Sequence, residues 1–181
     1  KIKIGSILSY KSLCEDLMTD DKTIKRWLTI FENSYLLFKI TPFSKNILHS
    51  TKKAPKYYFY DFPRIEDNGA RLENLVALSL LKEIYFKNDT EGEDYSLHFL
   101  RDKDQNEVDF VIVKNNIPWF LVEAKLSENK KISTNLKLFQ AQTKAKHAFQ
   151  VVYNMDYVAA DCFEHTSPII VPASSFLSQL Y

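Results

Sequence analysis

A chain of 181 residues, 45% of them hydrophobic, has the material for one sizeable packed domain or two small ones. No apolar run approaches the length of a bilayer span, and the start Lys1-Ile2-Lys3-Ile4 lacks a signal peptide's apolar stretch, so a soluble cytoplasmic protein without membrane contact is expected. The net charge of +1 hides an asymmetry: residues 1–60 carry 11 Lys and Arg against 5 Asp and Glu, residues 61–181 carry 13 against 18, which suits a nucleic-acid-facing module joined to a carboxylate-bearing one.

In chain order, the spacing of Leu13, Leu17 and Met18 predicts a short helix over residues 9–18, with Ser9 or Ser12 as its cap, ended by Thr19-Asp20-Asp21. A second helix is expected over 22–33, with Ile24, Trp27, Leu28 and Phe31 as an apolar stripe and Lys22, Lys25 and Arg26 near the opposite face. Strands over 35–40 and 57–60 follow, with Lys45, Lys52, Lys53 and Lys56 in or beside their connection. Two short helices, a tight polar turn and two strands make a winged helix-turn-helix domain over residues 1–61. Helix 22–33 would then be the recognition element, with Lys22, Lys25, Arg26 and the wing residues Lys52 and Lys53 meeting nucleic acid, DNA foremost. The competing reading packs the helix pair against a neighbouring protein module and leaves its lysines solvated. Tyr10, Tyr57, Tyr58, Phe59 and Tyr60 are able to stack on bases, but the run 57–60 reads as a core strand.

Residues 62–68 read as an exposed linker to a second domain over 62–181. A long helix is predicted over 69–86, apolar at Leu72, Leu75, Val76, Leu78, Leu80 and Leu81, with Glu73 in a first turn that favours a carboxylate. A polar loop over 89–94, a strand over 95–100 and a charged turn over 101–106 come next. Then Glu107 to Lys125 reads E-V-D-F-V-I-V-K-N-N-I-P-W-F-L-V-E-A-K, two apolar strands joined by an Asn115-Asn116 hairpin turn. Beyond it are expected a polar loop over 127–133, an amphipathic helix over 135–146 built on Leu136, Phe139 and Thr143, strands over 148–153 and 169–171, and a helix over 174–181. His49, His98, His147 and His165 stand singly, without the spacing of a zinc site.

The two hairpin strands are apolar on both faces, so they belong at the centre of a covered sheet, where an ionised carboxylate costs several kcal/mol unless paired or metal-bound. Asp109, Glu123 and Lys125 stand there nonetheless. Glu123 and Lys125 share a face, Ala124 points the other way, and Asp109 meets them from the neighbouring strand. Two carboxylates and an ammonium around one point suit Mg²⁺, with Mn²⁺ as a substitute, held through few carboxylates, several waters and a substrate phosphate. The bland alternative is a Glu123–Lys125 ion pair with Asp109 capping the hairpin edge.

At these residues the chain resembles the PD-(D/E)XK phosphodiesterase superfamily, with Asp109 matching the motif's Asp and Glu123 and Lys125 its Glu-x-Lys; the Pro of the name is absent. The resemblance implies a restriction-endonuclease-like αβββαβ core with a mixed sheet, in which Glu73, Asp109 and Glu123 hold the metal and Lys125 positions or activates the attacking water. A Gln on the following helix, Gln140 ahead of Gln142, would complete the site. A narrower resemblance runs through Tyr35-Leu36-Leu37, 42–46, 54–61, 72–76, Arg101-Asp102-Lys103 and 107–110, to the C-terminal domain of unknown function that follows the ATPase module in many prokaryotic AAA-type ATPases. That family has Thr-Gly-Leu after the residue matching Asp61, where this chain has Phe62-Pro63-Arg64. The three glycines form no phosphate-cradling loop, so this resemblance implies an ATPase module upstream of the chain, or lost, and oligomers formed through that module. The expected function is a Mg²⁺-dependent nuclease coupled to that ATPase. The alternative is a catalytically inactive nucleic-acid- or protein-binding module that targets or regulates it.

Overall fold

The computed structural model describes residues 5–44, 54–127 and 131–180. Helix α1 (Tyr10–Asp16) is capped by the Ser9 side chain, which accepts from the Ser12 N–H. Helix α2 (Asp21–Asn33) is capped by Asp20, whose carboxylate takes the Thr23 N–H at 3.0 Å and the Thr23 hydroxyl at 2.8 Å. The triplet expected to break one helix therefore starts the next. Ile24 and Leu28 turn inward onto Leu8, Leu13, Leu37 and Tyr57, whereas Trp27 and Phe31 remain 41% and 37% exposed. The expected four-residue stripe splits because each i, i+4 pair lies about 60° from the other and the strands beneath cover only one of them.

Strands β1 (Leu37–Pro42) and β2 (Lys56–Phe59) pair antiparallel, from Leu37 opposite Phe59 to Ile40 opposite Lys56. β1 begins later than expected because residues 34–36 close the helix before it. The Ser34, Tyr35 and Leu36 N–H groups bond back into α2, and Tyr35 takes a left-handed φ of 55°. The connecting residues Lys45, Lys52 and Lys53 lie outside the described residues.

Helix α3 (Asn68–Glu91) starts at Asp67, whose side chain accepts from the Ala70 N–H, and stops at Gly92 with φ +68°. It runs five residues past the expected end. Lys87 pairs with Glu91 at 2.8 Å, and the Asn88 amide bonds the backbone N–H and carbonyl of Tyr95. Side chains that read as a polar loop thus serve as the helix's last turn.

Strands β3 (Tyr95–Arg101), β4 (Glu107–Lys114) and β5 (Ile117–Lys125) follow, the last two joined by Asn115 and Asn116 with φ of 50° and 63°. Two successive positive φ angles make the turn that matches a hairpin's twist, and Asn tolerates them. Helix α4 (Thr134–Thr143) ends before the expected 146 because Lys144 turns left-handed, and Thr143 bonds back to the Phe139 carbonyl instead of joining the apolar stripe. Strands β6 (His147–Val152) and β7 (Ile169–Pro172) and the short helix α5 (Ala173–Leu177) complete the described chain.

The strands form one mixed sheet in the order β2-β1-β3-β4-β5-β6-β7. The N-terminal ribbon is therefore not a separate wing but the edge of the main sheet, joined by a short parallel seam, Thr41 opposite His98 and Pro42 opposite Phe99. On one face Phe110, Ile112, Phe120, Val122 and Phe149 pack under Leu72, Val76, Leu80 and Ile84 of α3. On the other Val111, Val113, Leu121 and Ala148 pack under Leu136 and Phe139 of α4. The hairpin strands are covered on both sides, as their unbroken apolar runs require.

Candidate functional site

Asp109 owes its position to an extra residue. His98 pairs with Val111 and Leu100 with Val108, so Phe99 alone faces both Asp109 and Phe110. Such a bulge re-aims a side chain and loosens the ladder beside it. On the other side of β4, its Oδ2 accepts the Ala124 N–H at 2.9 Å, tying the end of β4 to β5 through a side chain.

Glu123 and Lys125 then follow on β5, on the face where Leu121 meets α4. Glu123 is buried, and its Oε1 holds the Lys125 ammonium at 2.6 Å, while the Lys125 side chain stays 46% exposed. The other oxygen, Oε2, is buried with no hydrogen-bond partner among the described residues. Gln150, 1% exposed, is the in-register neighbour of Glu123 on β6. Its Oε1 accepts the Ser133 N–H at 2.9 Å, which fixes the amide's orientation and leaves Nε2 the second buried atom without a partner.

Glu73 sits on the α3 side, held by residues of the N-terminal segment. Tyr58 donates its hydroxyl to Glu73 Oε1 at 2.8 Å, and the Lys56 ammonium lies 3.6 Å from the same oxygen. Lys56 is 1% exposed and also bonds Glu107 Oε1 at 2.6 Å, with Arg101 on that residue's other oxygen at 2.7 Å. Gly5 closes over the carboxylate so tightly that a Cβ there would come 2.7 Å from Oε1. The fully buried Asn74, next along α3, clamps the same strand by accepting the Phe59 N–H and donating to the Phe59 carbonyl, both at 2.8 Å.

Electrostatics divides these acids. Burial works against the Lys56 ammonium, but Glu73, Asp109 and Glu107 outweigh it and hold its pKa above the usual lysine range. Desolvation raises Glu73, with Lys56 and Tyr58 opposing. Asp109 has the weaker support: desolvation, then the charge of Glu73, push its pKa up to about 7. Among the described residues the cations paired with Glu73, Glu107 and Glu123 are Lys56, Arg101 and Lys125, so with Asp109 there are four acids to three cations, an excess that a proton on Asp109 or a bound cation would offset.

Glu123 and Lys125 form an ion pair at 2.6 Å and Asp109 bonds the backbone of Ala124 between them, but Glu73, Asp109 and Glu123 are not assembled into one metal-binding set. Among the described residues no group of three or more His, Cys, Asp and Glu side chains is arranged to hold a metal. Mg²⁺ takes one or two carboxylates and keeps several waters, and Glu123 Oε2, which has no hydrogen-bond partner among the described residues, is an atom of the kind it takes. Gln140 lies elsewhere, its amide donating to the carbonyls of Ala145 and Thr166. The buried glutamine beside Glu123 is Gln150, on a strand rather than on the helix. Lys56 was the other residue hidden from sequence reading. Its signal was its spacing, two residues before the buried Tyr58 and so on the same inward face. Of the residues expected to meet nucleic acid, Lys22, Lys25 and Arg26 are exposed on α2, with Lys25 bonded to Asp21 at 2.6 Å.

Residues 68–171, more than half of the chain, match the family described as Domain of unknown function (DUF4143). The chain belongs to that family. DUF4143 is a C-terminal domain of AAA-ATPase-containing proteins, as the short matches along the sequence imply. Residues 3–62 match a second family, Domain of unknown function (DUF8612), so Lys56 and Tyr58 fall in one match and Glu73, Asp109, Glu123 and Lys125 in the other. No curated protein and no solved structure matches the chain. Among the described residues no helix is long and apolar enough to cross a membrane.

Proposed function

We propose that this DUF4143 domain is a Mg²⁺-dependent phosphodiesterase of the PD-(D/E)XK type that cleaves nucleic acid in the service of an AAA-type ATPase module. The observation that carries the reading is a pair of sparsely satisfied carboxylates on adjacent strands: Asp109, held by one backbone N–H, and Glu123, whose Oε2 is buried with no hydrogen-bond partner among the described residues. A chain has little reason of stability to keep such a pair, since well-packed apolar residues serve as well or better. The order α3, β3 to β5, α4, β6 accords with an αβββαβ core.

In this reading Asp109 and Glu123 hold the metal, which supplies a Lewis acid and a water of lowered pKa. Asp109 gives up its proton on binding. Lys125, tethered to Glu123 and half-exposed, directs its ammonium toward the phosphate and the attacking oxygen. Lys22 and Arg26 on α2 steer the nucleic-acid backbone toward the sheet. A second reading draws on α2 itself, where Trp27, Ile30 and Phe31 are exposed. An apolar helix face of that kind favours a protein partner, and it assigns the N-terminal helices to docking the ATPase module.

Calorimetric titration of Mg²⁺ and Mn²⁺ into the domain, with cleavage of a mixed nucleic-acid panel, tests the proposal. Wild type should bind metal and cleave; Asp109→Ala and Glu123→Ala should lose both, and Lys125→Ala should keep metal and lose cleavage. A folded wild type that binds no metal refutes the enzyme reading and leaves the docking module.

A further inference from the structure

Of the fourteen large hydrophobic side chains left exposed among the described residues, seven fall within residues 17–36. Trp27, Ile30 and Phe31 are three of them, on α2. Met18, two residues before the Asp20 cap, and Tyr35, just beyond the helix, take left-handed φ of 47° and 55°, a costly backbone for bulky residues, and both are held in solvent at 93% and 72% exposure. Lys22 and Arg26 are exposed on the same helix and pair with no carboxylate among the described residues. The far edge of the sheet carries the opposite charge. After Lys146 the sequence has no Lys or Arg, while Asp156, Asp161 and Glu164 stand exposed between β6 and β7, in one segment with the exposed Tyr153, Tyr157 and Val158. That segment is held in place: the Val158 N–H donates to the Ser175 hydroxyl at 2.7 Å, and Gln179 accepts the Cys162 N–H and donates to the Ala160 carbonyl, both at 2.9 Å. A cavity of about 650 Å³ opens beside it, walled by Tyr157, Asp161, Phe163 and Leu180.

We propose that copies of this chain associate head to tail, the basic apolar face of α2 on one copy docking against the acidic segment 153–164 of the next, with Trp27 entering the cavity. A single chain cannot bring its own two faces together. α2 packs on β1 and β2, the acidic segment leaves from β6, and β3, β4 and β5 stand between, so that β1 and β6 are about 19 Å apart at the usual strand spacing. Apolar side chains at the centre with opposite charges at the rim is the ordinary anatomy of a protein interface, the charges steering the encounter and fixing its register. Because the two faces differ, each junction leaves one of each kind open at the ends, and association continues until a ring closes or an open chain grows. The inference requires neither the metal nor cleavage, and it gives the apolar face of α2 to a second copy instead of to the ATPase module.

Sedimentation velocity of the full chain across a concentration series tests this. Wild type is expected to grow in mass with concentration, less so as salt rises, and its Trp27 emission to shift to the blue as the junction forms. Trp27→Asp and Tyr157→Asp each spoil one face and should weaken association about tenfold or more. Mixed, they restore a single junction, between α2 of the Tyr157 variant and the acidic segment of the Trp27 variant, and should give a one-to-one dimer that grows no further. Phe31→Asp and Val158→Asp form a second pair for the same experiment if circular dichroism shows either first variant unfolded. Wild type that stays monomeric overturns the proposal and leaves α2 to the ATPase module. A mixture of folded variants that stays monomeric overturns it as well. So does association lost in Trp27→Asp and untouched in Tyr157→Asp, the pattern of a symmetric contact between two α2 helices.

Discussion

Glu73 and Asp109 are two desolvated acids of one cluster, and their surroundings differ in kind. Around Glu73 the chain has gathered a hydroxyl, an ammonium and a close-packed glycine. Asp109 has one backbone N–H and a neighbouring negative charge, and burial and that charge push its pKa up to about 7. Burial alone does not distinguish a structural carboxylate from an available one. The partners do: the first acid is satisfied by the protein, the second is left for something else to satisfy.

Breaking the satisfied side should have the largest effect. Lys56→Met leaves Glu73 without its counter-charge and Glu107 with Arg101 alone, and should lower unfolding free energy by about 3–5 kcal/mol in urea titrations without metal. A variant as stable as wild type would mean that Lys56 compensates nothing.

On the other side the sign reverses. Because the folded-state pKa of Asp109 is raised, the folded protein keeps a proton between about pH 4 and pH 7 that the unfolded chain has already released, so stability is greatest below that window and falls as pH rises through it. Asp109→Asn, which can still accept the Ala124 N–H, should be more stable than wild type at pH 8, by about 2–4 kcal/mol, and match it near pH 4. Urea melts at the two pH values measure this, and equal stability at both would place the negative charge elsewhere. Smaller still is the clamp between the two sides. Asn74→Ala removes both bonds to Phe59 and should cost about 2 kcal/mol, with faster amide exchange at Phe59 while Val111 and Leu121 keep their protection.

The open side was legible in the sequence because its anomaly is local. Charged residues inside apolar strands, a two-residue spacing and an Asn-Asn turn sufficed to read the hairpin and the Glu123–Lys125 pair on it. The sealed side was not, because each of its determinants is a long-range fact. Lys56 beside a strand reads as a solvated wing residue until β2 is known to be an edge of the main sheet. Glu73 at the start of an apolar helix gives no hint that Lys56 and Tyr58 will take it. The bulge that aims Asp109 depends on the register of β3 against β4, which hydrophobic alternation cannot fix in strands buried on both faces. Gln140 and Gln150 illustrate the same limit, since composition alone does not say which glutamine a fold brings inward. The ends of α3 and α4 were misjudged for a nearer cause: side chains bonded to backbone, Asn88 to Tyr95 and Thr143 to Phe139, set them.

The Asn74 clamp reads only main-chain atoms. Its amide grips the N–H and carbonyl of residue 59 whatever side chain is mounted there, so the joint places unequal demands on its two partners. The clamp asks of position 59 only a backbone N–H and carbonyl, so Pro alone is barred by it, and what further limits that position is the packing of Phe59 against the cluster around Leu8 and Leu37. Position 74 must offer a donor and an acceptor at the same reach, so in a saturation scan position 59 should rank its substitutions by apolar bulk and position 74 by hydrogen-bonding shape.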